Sequence, residues 1–326
     1  MCKRIHSRLT STAPQSCCST LSLKMLDHFP AEILSIIVNL VNVEDAKSLI
    51  HAGNRILNMK LRNIAVDLLF FGDLEKMKRC HFMLSFFRNV KSALFWDADR
   101  NILSLLQDSV EVLSVHTRIS MHVGDLEDVQ ILPRNLKVLN LPDIPLRREH
   151  AISMPRSLTK LTTSGFTAYV DHFCEFAYNL PHLTYFRFES QCPRLPFGKK
   201  CALALPKTLE RLELSTACGI DEDFIEHLPN GLTTLWILVA GSVSLRKLPK
   251  SVTSVEIFKC CDGKSTPWKG KMFPKTLRHL EINSDVKFKD SDMERFATHL
   301  LTLNINGGIG EWNQKFLDEQ AKLADK

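Results

Sequence analysis

Cysteine, histidine and clustered acids are the residues of this 326-residue chain that could do chemistry, and their spacing decides whether they do. Thiolates three to five residues apart, or thiolates with a histidine pair, hold zinc; a CxxC also cycles between thiol and disulfide. The ten cysteines stand at positions 2, 17, 18, 80, 174, 192, 201, 218, 260 and 261, with no CxxC and no histidine at zinc spacing. Cys17-Cys18 and Cys260-Cys261 read as chance or packing rather than redox pairs. The 12 histidines form no HExxH, and neither GxSxG nor GxxxxGK[ST] occurs. Asp221, Glu222 and Asp223 offer paired carboxylates, but they precede Phe224, Ile225 and Leu228, and the start of a helix favours acids anyway. His227 and His279 fall inside repeat copies, at surface or edge positions. The expectation is no catalytic residue, no metal, no cofactor, no disulfide framework, and no enzyme.

Composition narrows the alternatives. With 44% hydrophobic and 24% charged residues the chain is too apolar for a disordered one. Its net charge of +6 is spread without a long basic block, so nucleic acid is not an expected partner. Leu228 to Leu245 runs 18 residues without a formal charge, but Pro229, Asn230, Gly231 and Gly241 break it, so no membrane span is expected. Residues 1–25 hold Lys3, Arg4, Arg8 and Lys24 and no acid, which fits a flexible basic tail or a mitochondrial presequence. No secretory signal is read, which points to free thiols and a cytoplasmic or nuclear setting.

The elements that would position any site come from a repeat. The frame Leu-Pro-x-x-Leu-x-x-Leu-x-Leu reads LPRNLKVLNL from 132, MPRSLTKLTT from 154, LPKTLERLEL from 205, LPNGLTTLWI from 228, LPKSVTSVEI from 248 and FPKTLRHLEI from 273. Its last three marked positions are apolar in 17 of 18 cases, where a 44% composition would give about eight, so the frame is not chance. LPHLTYFRF from 180 is one residue short, and copies without proline begin at Phe86, Leu106 and Phe296. Starts fall 20 to 26 residues apart. Each Leu-x-x-Leu-x-Leu core alternates as a short strand whose leucines must stack on those of neighbouring copies. Leu139, Leu161, Leu212, Leu235, Val255 and Leu280 should form one buried row. Helical returns are expected at 169–180, after Asp221 as a cap, and from Ser291.

The frame resembles leucine-rich repeats of the proline-marked kind, over roughly residues 86 to 310. That resemblance implies an α/β fold, a solenoid with short parallel strands on its concave face, across residues 71–310. The Asn or Cys usual three residues past the last leucine is met by Cys260 but not by Ala217, Ala240, Asp285 or Gly308, so the usual turn ladder should be mostly missing. Trp312 and Phe316, four apart, suit a C-terminal helical cap at 311–326.

Residues 26–70 read as a small three-helix module. Ile33, Ile36, Ile37 and Leu40 share one helical face after Phe29-Pro30, with Glu32 in the first turn. Asp45 is placed to cap a second helix with Ala46, Leu49 and Ile50 on one side, ending at Gly53. Leu57, Leu61, Ile64 and Leu68 fit a third, ending at Gly72. Such short helices cannot hide this much apolar surface among themselves. The order Phe29-Pro30, Glu32, Ile33 to Leu40, Asp45, Leu49, Asn54-Arg55 resembles the F-box, departing from it at Phe29 in place of leucine and at Ile56 and Leu57 in place of an aromatic. The resemblance implies docking on a Skp-type adaptor of a cullin complex through Phe29, Pro30, Glu32, Ile33, Ile36, Ile37, Leu40 and Leu49. The repeats would then present an unknown target protein for ubiquitination. The alternatives are a plain scaffold whose N-terminal helices cap the repeats, and a regulator of a small GTPase.

Strand alternation places the target site. Ser114, Asn140, Thr162, Arg187, Glu213, Trp236, Glu256, Glu281 and Asn304 occupy the middle strand position and should face away from the core. Arg187, Arg211, Glu213, Trp236, Glu256, Phe258 and Glu281 are the candidate target-binding residues, suited to a partner with a basic segment and an apolar anchor.

Overall fold

The structure is a computed structural model that describes residues 26, 28–40, 43–53, 55–70, 83–96, 103–116, 132–145, 148–165, 170–190, 197–216, 220–239, 245–259, 270–283, 288–305 and 311–324. The expected basic tail and both adjacent cysteine pairs lie outside them. Three helices open the described chain: α1 (Ala31–Leu40), α2 (Val43–Ala52) and α3 (Arg55–Asn63). Strands then follow as β1 (Val66–Phe70), β2 (Val90–Trp96), β3 (Val112–His116), β4 (Val138–Pro145), β5 (Lys160–Gly165), β6 (Tyr185–Ser190), β7 (Arg211–Thr216), β8 (Thr234–Val239), β9 (Ser254–Lys259), β10 (His279–Asn283) and β11 (Thr302–Ile305). They form one eleven-stranded sheet in sequence order, and each neighbouring pair is parallel.

The alternation of the frame accounts for the sheet. Leu113, Leu139, Leu161, Phe186, Leu212, Leu235, Val255, Leu280 and Leu303 stand opposite one another through nine successive strands. All six residues expected in this row are at most 2% exposed. Leu141, Thr163, Phe188, Leu214, Ile237, Ile257, Ile282 and Ile305 form a second buried row two residues further on. Burying one leucine is worth about 1.5–3 kcal/mol, which a single five-residue strand cannot collect alone. Only stacking supplies it.

The prolines mark a turn. In each full copy the N–H of the fifth frame residue donates to the proline carbonyl: Leu136 to Pro133, Leu158 to Pro155, Leu209 to Pro206, Leu232 to Pro229, Val252 to Pro249 and Leu277 to Pro274, at 3.0–3.2 Å. Proline spends no donor here, because the bond uses its carbonyl. The side chain before the fifth residue ties some turns to their neighbours. Ser157 Oγ donates towards the carbonyls of Arg134 and Leu136 (both 2.8 Å), and Thr208 Oγ1 towards those of Pro181 and Leu183 (both 2.9 Å). These two hydroxyls thus tie a Pro-x-x-Leu turn to the preceding copy; the positions of the expected turn ladder lie outside the described residues. Ser109, Ser251 and Thr276 bring buried hydroxyls to the same position, and among the described residues these have no partner.

Return segments pack on the core. The helices are α4 (Arg148–Ser153), α5 (Val170–Asn179), α6 (Lys199–Ala204), α7 (Glu222–Glu226), α8 (Asp290–Ala297) and α9 (Glu311–Ala324). α5 buries Phe173, whose ring centroid is 5.3 Å from both Phe186 and Phe188. α7 buries Phe224 and Ile225, and α8 buries Met293 and Phe296. Asp221 precedes α7 as expected, but its side chain makes no capping bond.

Helices close both ends of the sheet. At the β1 edge, Ser35 Oγ of α1 donates to the Ala65 carbonyl, and Asn39 Oδ1 accepts the Asp67 N–H at 3.1 Å. At the β11 edge, Asn313 Oδ1 of α9 accepts the Ile305 N–H at 2.9 Å, and Gln320 Nε2 donates to the Leu300 carbonyl at 2.9 Å. Phe316 is buried beneath this cap, and Trp312 meets Phe288 edge to face at 6.2 Å.

Two expectations for the first module are corrected. The third helix does not run through Leu68; it ends at Asn63, and Val66–Phe70 is strand β1, paired in parallel with β2. β-Branched Ile64 and Val66 and the Val66/Leu68 alternation favour the strand once β2 offers an edge. Asp45 does not cap α2, which begins two residues earlier at Val43.

Candidate protein-binding face

Opposite the buried rows, the open concave face of the sheet carries columns of side chains at the repeat interval. In the central column Arg187, Glu213, Trp236, Glu256 and Glu281 are successive register partners on β6 to β10. Arg211 lies in the column two residues before, beside Tyr185, and Phe258 in the column two residues after, between Leu238 and Asn283. The seven candidate target-binding residues therefore lie on five adjacent strands.

Charge pairing divides them. Glu213 is only 6% exposed, and Arg211 Nε donates to its Oε1 at 2.8 Å. Arg187 reaches the other oxygen of Glu213 at 3.6 Å and donates through Nε to Glu189 Oε1 at 2.9 Å. Two guanidinium groups and two carboxylates thus balance inside the face, and Glu213 is not available to a partner as a surface charge. The network extends over aromatic rings: Arg211 lies 6.0 Å from the Tyr185 ring centroid and Arg187 lies 5.8 Å from that of Trp236. Burial, followed by the Glu213 charge and a bond to it, pushes the Tyr185 phenol up, so it stays protonated.

Beyond Arg187 the balance is lost. Trp236 and Phe258 lean together with ring centroids 5.0 Å apart and planes at 36°. Glu256 sits in register between Trp236 and Glu281, and among the described residues its carboxylate has no hydrogen-bond or ion-pair partner. Burial pushes its carboxyl up, with Glu281 adding to the shift. Glu281 accepts a bond from Asn283 Nδ2 at 3.0 Å. An aromatic pair beside an uncompensated carboxylate suits an apolar group next to a cation.

Tyr185 and Glu189 belong to this network and were not among the candidates. Both lie two residues from Arg187 on its own strand, and the same alternation that placed Arg187 on this face would have found them. At the other end of the face Trp96 stacks on His116 with centroids 4.8 Å apart, and Asn140 Nδ2 donates to Ser114 Oγ at 2.9 Å.

The adaptor candidates lie elsewhere, beside β1, and the structure does not bring them near the strands that hold the target candidates. Leu34 and Val38 turn the buried side of α1 to the core. Ile33 is 41% and Ile36 55% exposed, Pro30 and Glu32 are exposed, and Phe29, Ile37 and Leu49 are half-buried. The Leu40 side chain lies outside the described residues. Ile56 and Met59 of α3, each 60% exposed, extend the apolar surface; their spacing of three, opposite Leu57 and Leu61, was the signal for them.

Among the described residues no three His, Cys, Asp or Glu side chains are placed to hold a metal ion, and no helix is long and apolar enough to cross a membrane. Cys174 and Cys201 have sulfurs 3.6 Å apart, both buried. The bond to Cys174, then burial, pushes the Cys201 thiol up, away from the reactive thiolate.

No family model and no curated protein matches the chain. Solved structures do. The leucine-rich repeat-containing protein LegL7 from Legionella pneumophila is 13% identical with a TM-score of 0.45, covering 81% of this chain and 98% of its own. CroV588, a circular leucine-rich-repeat structure, is 17% identical with a TM-score of 0.37 over 67% of this chain. The match takes in 33% of the CroV588 chain. Eleven parallel strands in sequence order, two stacked apolar rows and a turn recurring at every frame proline make this α/β chain a leucine-rich-repeat solenoid.

Proposed function

We propose that the chain is a non-catalytic receptor. In this reading the concave face of β6 to β10 holds a protein target, and α1 to α3 dock on a Skp-type adaptor that joins them to a cullin–RING ubiquitin ligase in the cytoplasm or nucleus. The observation that carries the adaptor half is the division of α1. One side seals the sheet through Leu34, Val38, Ser35 and Asn39, while Ile33 and Ile36, with Ile56 and Met59 of α3, remain exposed on one small module. Exposed isoleucines at this density support an interface. For the target, Trp236 and Phe258 suit an apolar anchor and Glu256 a basic group beside it.

The test is co-purification of the full chain with a Skp-type adaptor. Ile33→Asp with Ile36→Asp should abolish capture while the thermal unfolding of the repeats is unchanged, because neither side chain supports the core. Trp236→Ala with Glu256→Lys should lose the target and keep the adaptor. A scaffold without a ligase role is the second reading, favoured by the bonds from Ser35 and Asn39 to the β1 edge, which give α1 a capping task of its own. Failure of the native chain to retain the adaptor would decide for it.

A further inference from the structure

The sequence has no basic block, yet the fold assembles one. The residue four positions before each strand's register mark falls in a single column along the rim of the Pro-x-x-Leu turns. Arg134, Arg156, Lys207, Lys250 and Lys275 each stand four residues before Val138, Lys160, Arg211, Ser254 and His279, which share one line of the sheet register. Arg88 bears the same relation to Ser92 on β2. All six are exposed. The other members are His182, one residue closer to its strand, with Asn230 and Thr298, and one acid, Asp108, whose Oδ1 accepts the Arg134 N–H at 2.9 Å.

Several cations elsewhere on the repeats are paired with acids. Lys91, Lys137, Arg187, Arg211 and Lys247 each have an acid partner within 4 Å. Among the described residues none of the six side chains in the rim column has an ion-pair or hydrogen-bond partner. From Arg134 to Lys275 the column crosses six strand intervals, about 29 Å at roughly 4.8 Å each, the reach of an extended peptide of about nine residues.

We propose that this rim is a binding track for an acidic, extended peptide segment of a partner protein, separate from the concave face. The track is one residue wide. The position before each cation from Arg134 onward is a proline, in the position after it Ser157 and Thr208 turn into the turn backbone, and three residues after it Glu111 and Glu210 interrupt Lys137 and Arg278. A bilayer surface calls for a broad basic patch, usually with apolar side chains to insert. Single-stranded nucleic acid needs aromatic platforms beside the cations, and no Phe, Tyr or Trp stands in this column. A single chain carrying carboxylates fits what remains.

Fluorescence anisotropy of a labelled nonapeptide of alternating glutamate and serine, titrated with the full chain at low salt, tests the track. Arg156→Glu with Lys207→Glu and Lys250→Glu should weaken binding about tenfold or more, since three attractive surface pairs become repulsive. The same three changed to glutamine should give a smaller loss. Lys199→Glu with Lys289→Glu and Lys322→Glu, an equal change of net charge outside the column, should leave affinity within about twofold. Circular dichroism melting checks that each variant folds; if the glutamate variant unfolds, the glutamine variant decides. Equal loss in both glutamate variants, no loss in the rim variants, or no binding by the native chain overturns the proposal. So does tighter binding of a nine-nucleotide oligothymidylate or of phosphatidylserine vesicles than of the peptide.

Discussion

Replacing Leu212 by alanine measures what the stacked row is worth. The side chain is 0% exposed on β7 and lies in register between Phe186 and Leu235, both also fully buried. Three methylene-sized groups leave the core, at about 0.8 kcal/mol each for transfer alone. Neighbours on both sides are held by their own strands, so the void can collapse only in part, and the loss should fall at about 3–4 kcal/mol within the range for leucine-to-alanine changes. Because each repeat leans only on its neighbours, β6 and β8 should loosen with β7 rather than β7 alone. Urea denaturation followed by circular dichroism reads the change in midpoint, and amide exchange reads its spread along the chain. Leu301→Ala removes the same atoms from a side chain that is 63% exposed and should cost less than about 0.5 kcal/mol. A loss below about 1 kcal/mol at Leu212, or equal losses at the two positions, would refute the stacked-row account of stability.

Thr163 is the one polar residue among the last three marked positions of the six full copies; it is fully buried between Leu141 and Phe188, and among the described residues its hydroxyl bonds only the adjacent Ser164 carbonyl, at 3.3 Å. Thr163→Val should therefore raise the urea midpoint, by about 0.5–1 kcal/mol of stability. At Gly231 a Cβ would stand 2.9 Å from the Lys207 carbonyl oxygen, a backbone atom with no room to give, so Gly231→Ala should cost about 1–3 kcal/mol by the same measurement. His299 is held below the ordinary histidine value of 6.5 by burial, with Arg295, Arg278 and Lys275 adding to the effect. The unfolded chain takes up this proton first, so stability should hold above about pH 6.5 and fall as pH drops below it. A melting series from pH 7.5 down to 5.5 (approximate limits set by the ordinary histidine range) should show the fall, and His299→Gln should flatten it.

Sequence alone reached the parts of this fold that depend on local alternation. The marked leucines, the column from Ser114 to Asn304 and the returns that bury Phe224 and Phe296 follow from periods of two and of three to four. What it missed depended on partners distant in the chain. Leu68 continues the helix-compatible spacing of Leu61 and Ile64 into Val66–Phe70, and only the edge of β2 decides for a strand. α1 offers apolar residues on more than half of its circumference, so spacing alone could not say that Leu34 and Val38 would turn inward and Ile33 and Ile36 outward. Glu213 reads as a surface acid on its own strand; its burial comes from Arg211 beside it and Arg187 one strand away. The turn hydroxyls at Ser157 and Thr208 lay in plain sight, but their role needs the carbonyls of the preceding copy.

The fittings at the two sheet edges bear on how such a chain can grow. Asn39 bonds the backbone of β1 and Ser35 that of the residue before it, while Asn313 bonds the backbone of β11 and Gln320 that of Leu300 just ahead of it, so each terminal helix recognises one particular strand. Duplicating a unit between them leaves both matches untouched, and the array lengthens by about 4.8 Å per added strand. Adding or deleting a unit at either end strips a helix from its strand and leaves unpaired N–H and C=O groups that a second molecule can pair with. Gene variants that change repeat number should therefore stay soluble when the change is internal and aggregate when it is terminal.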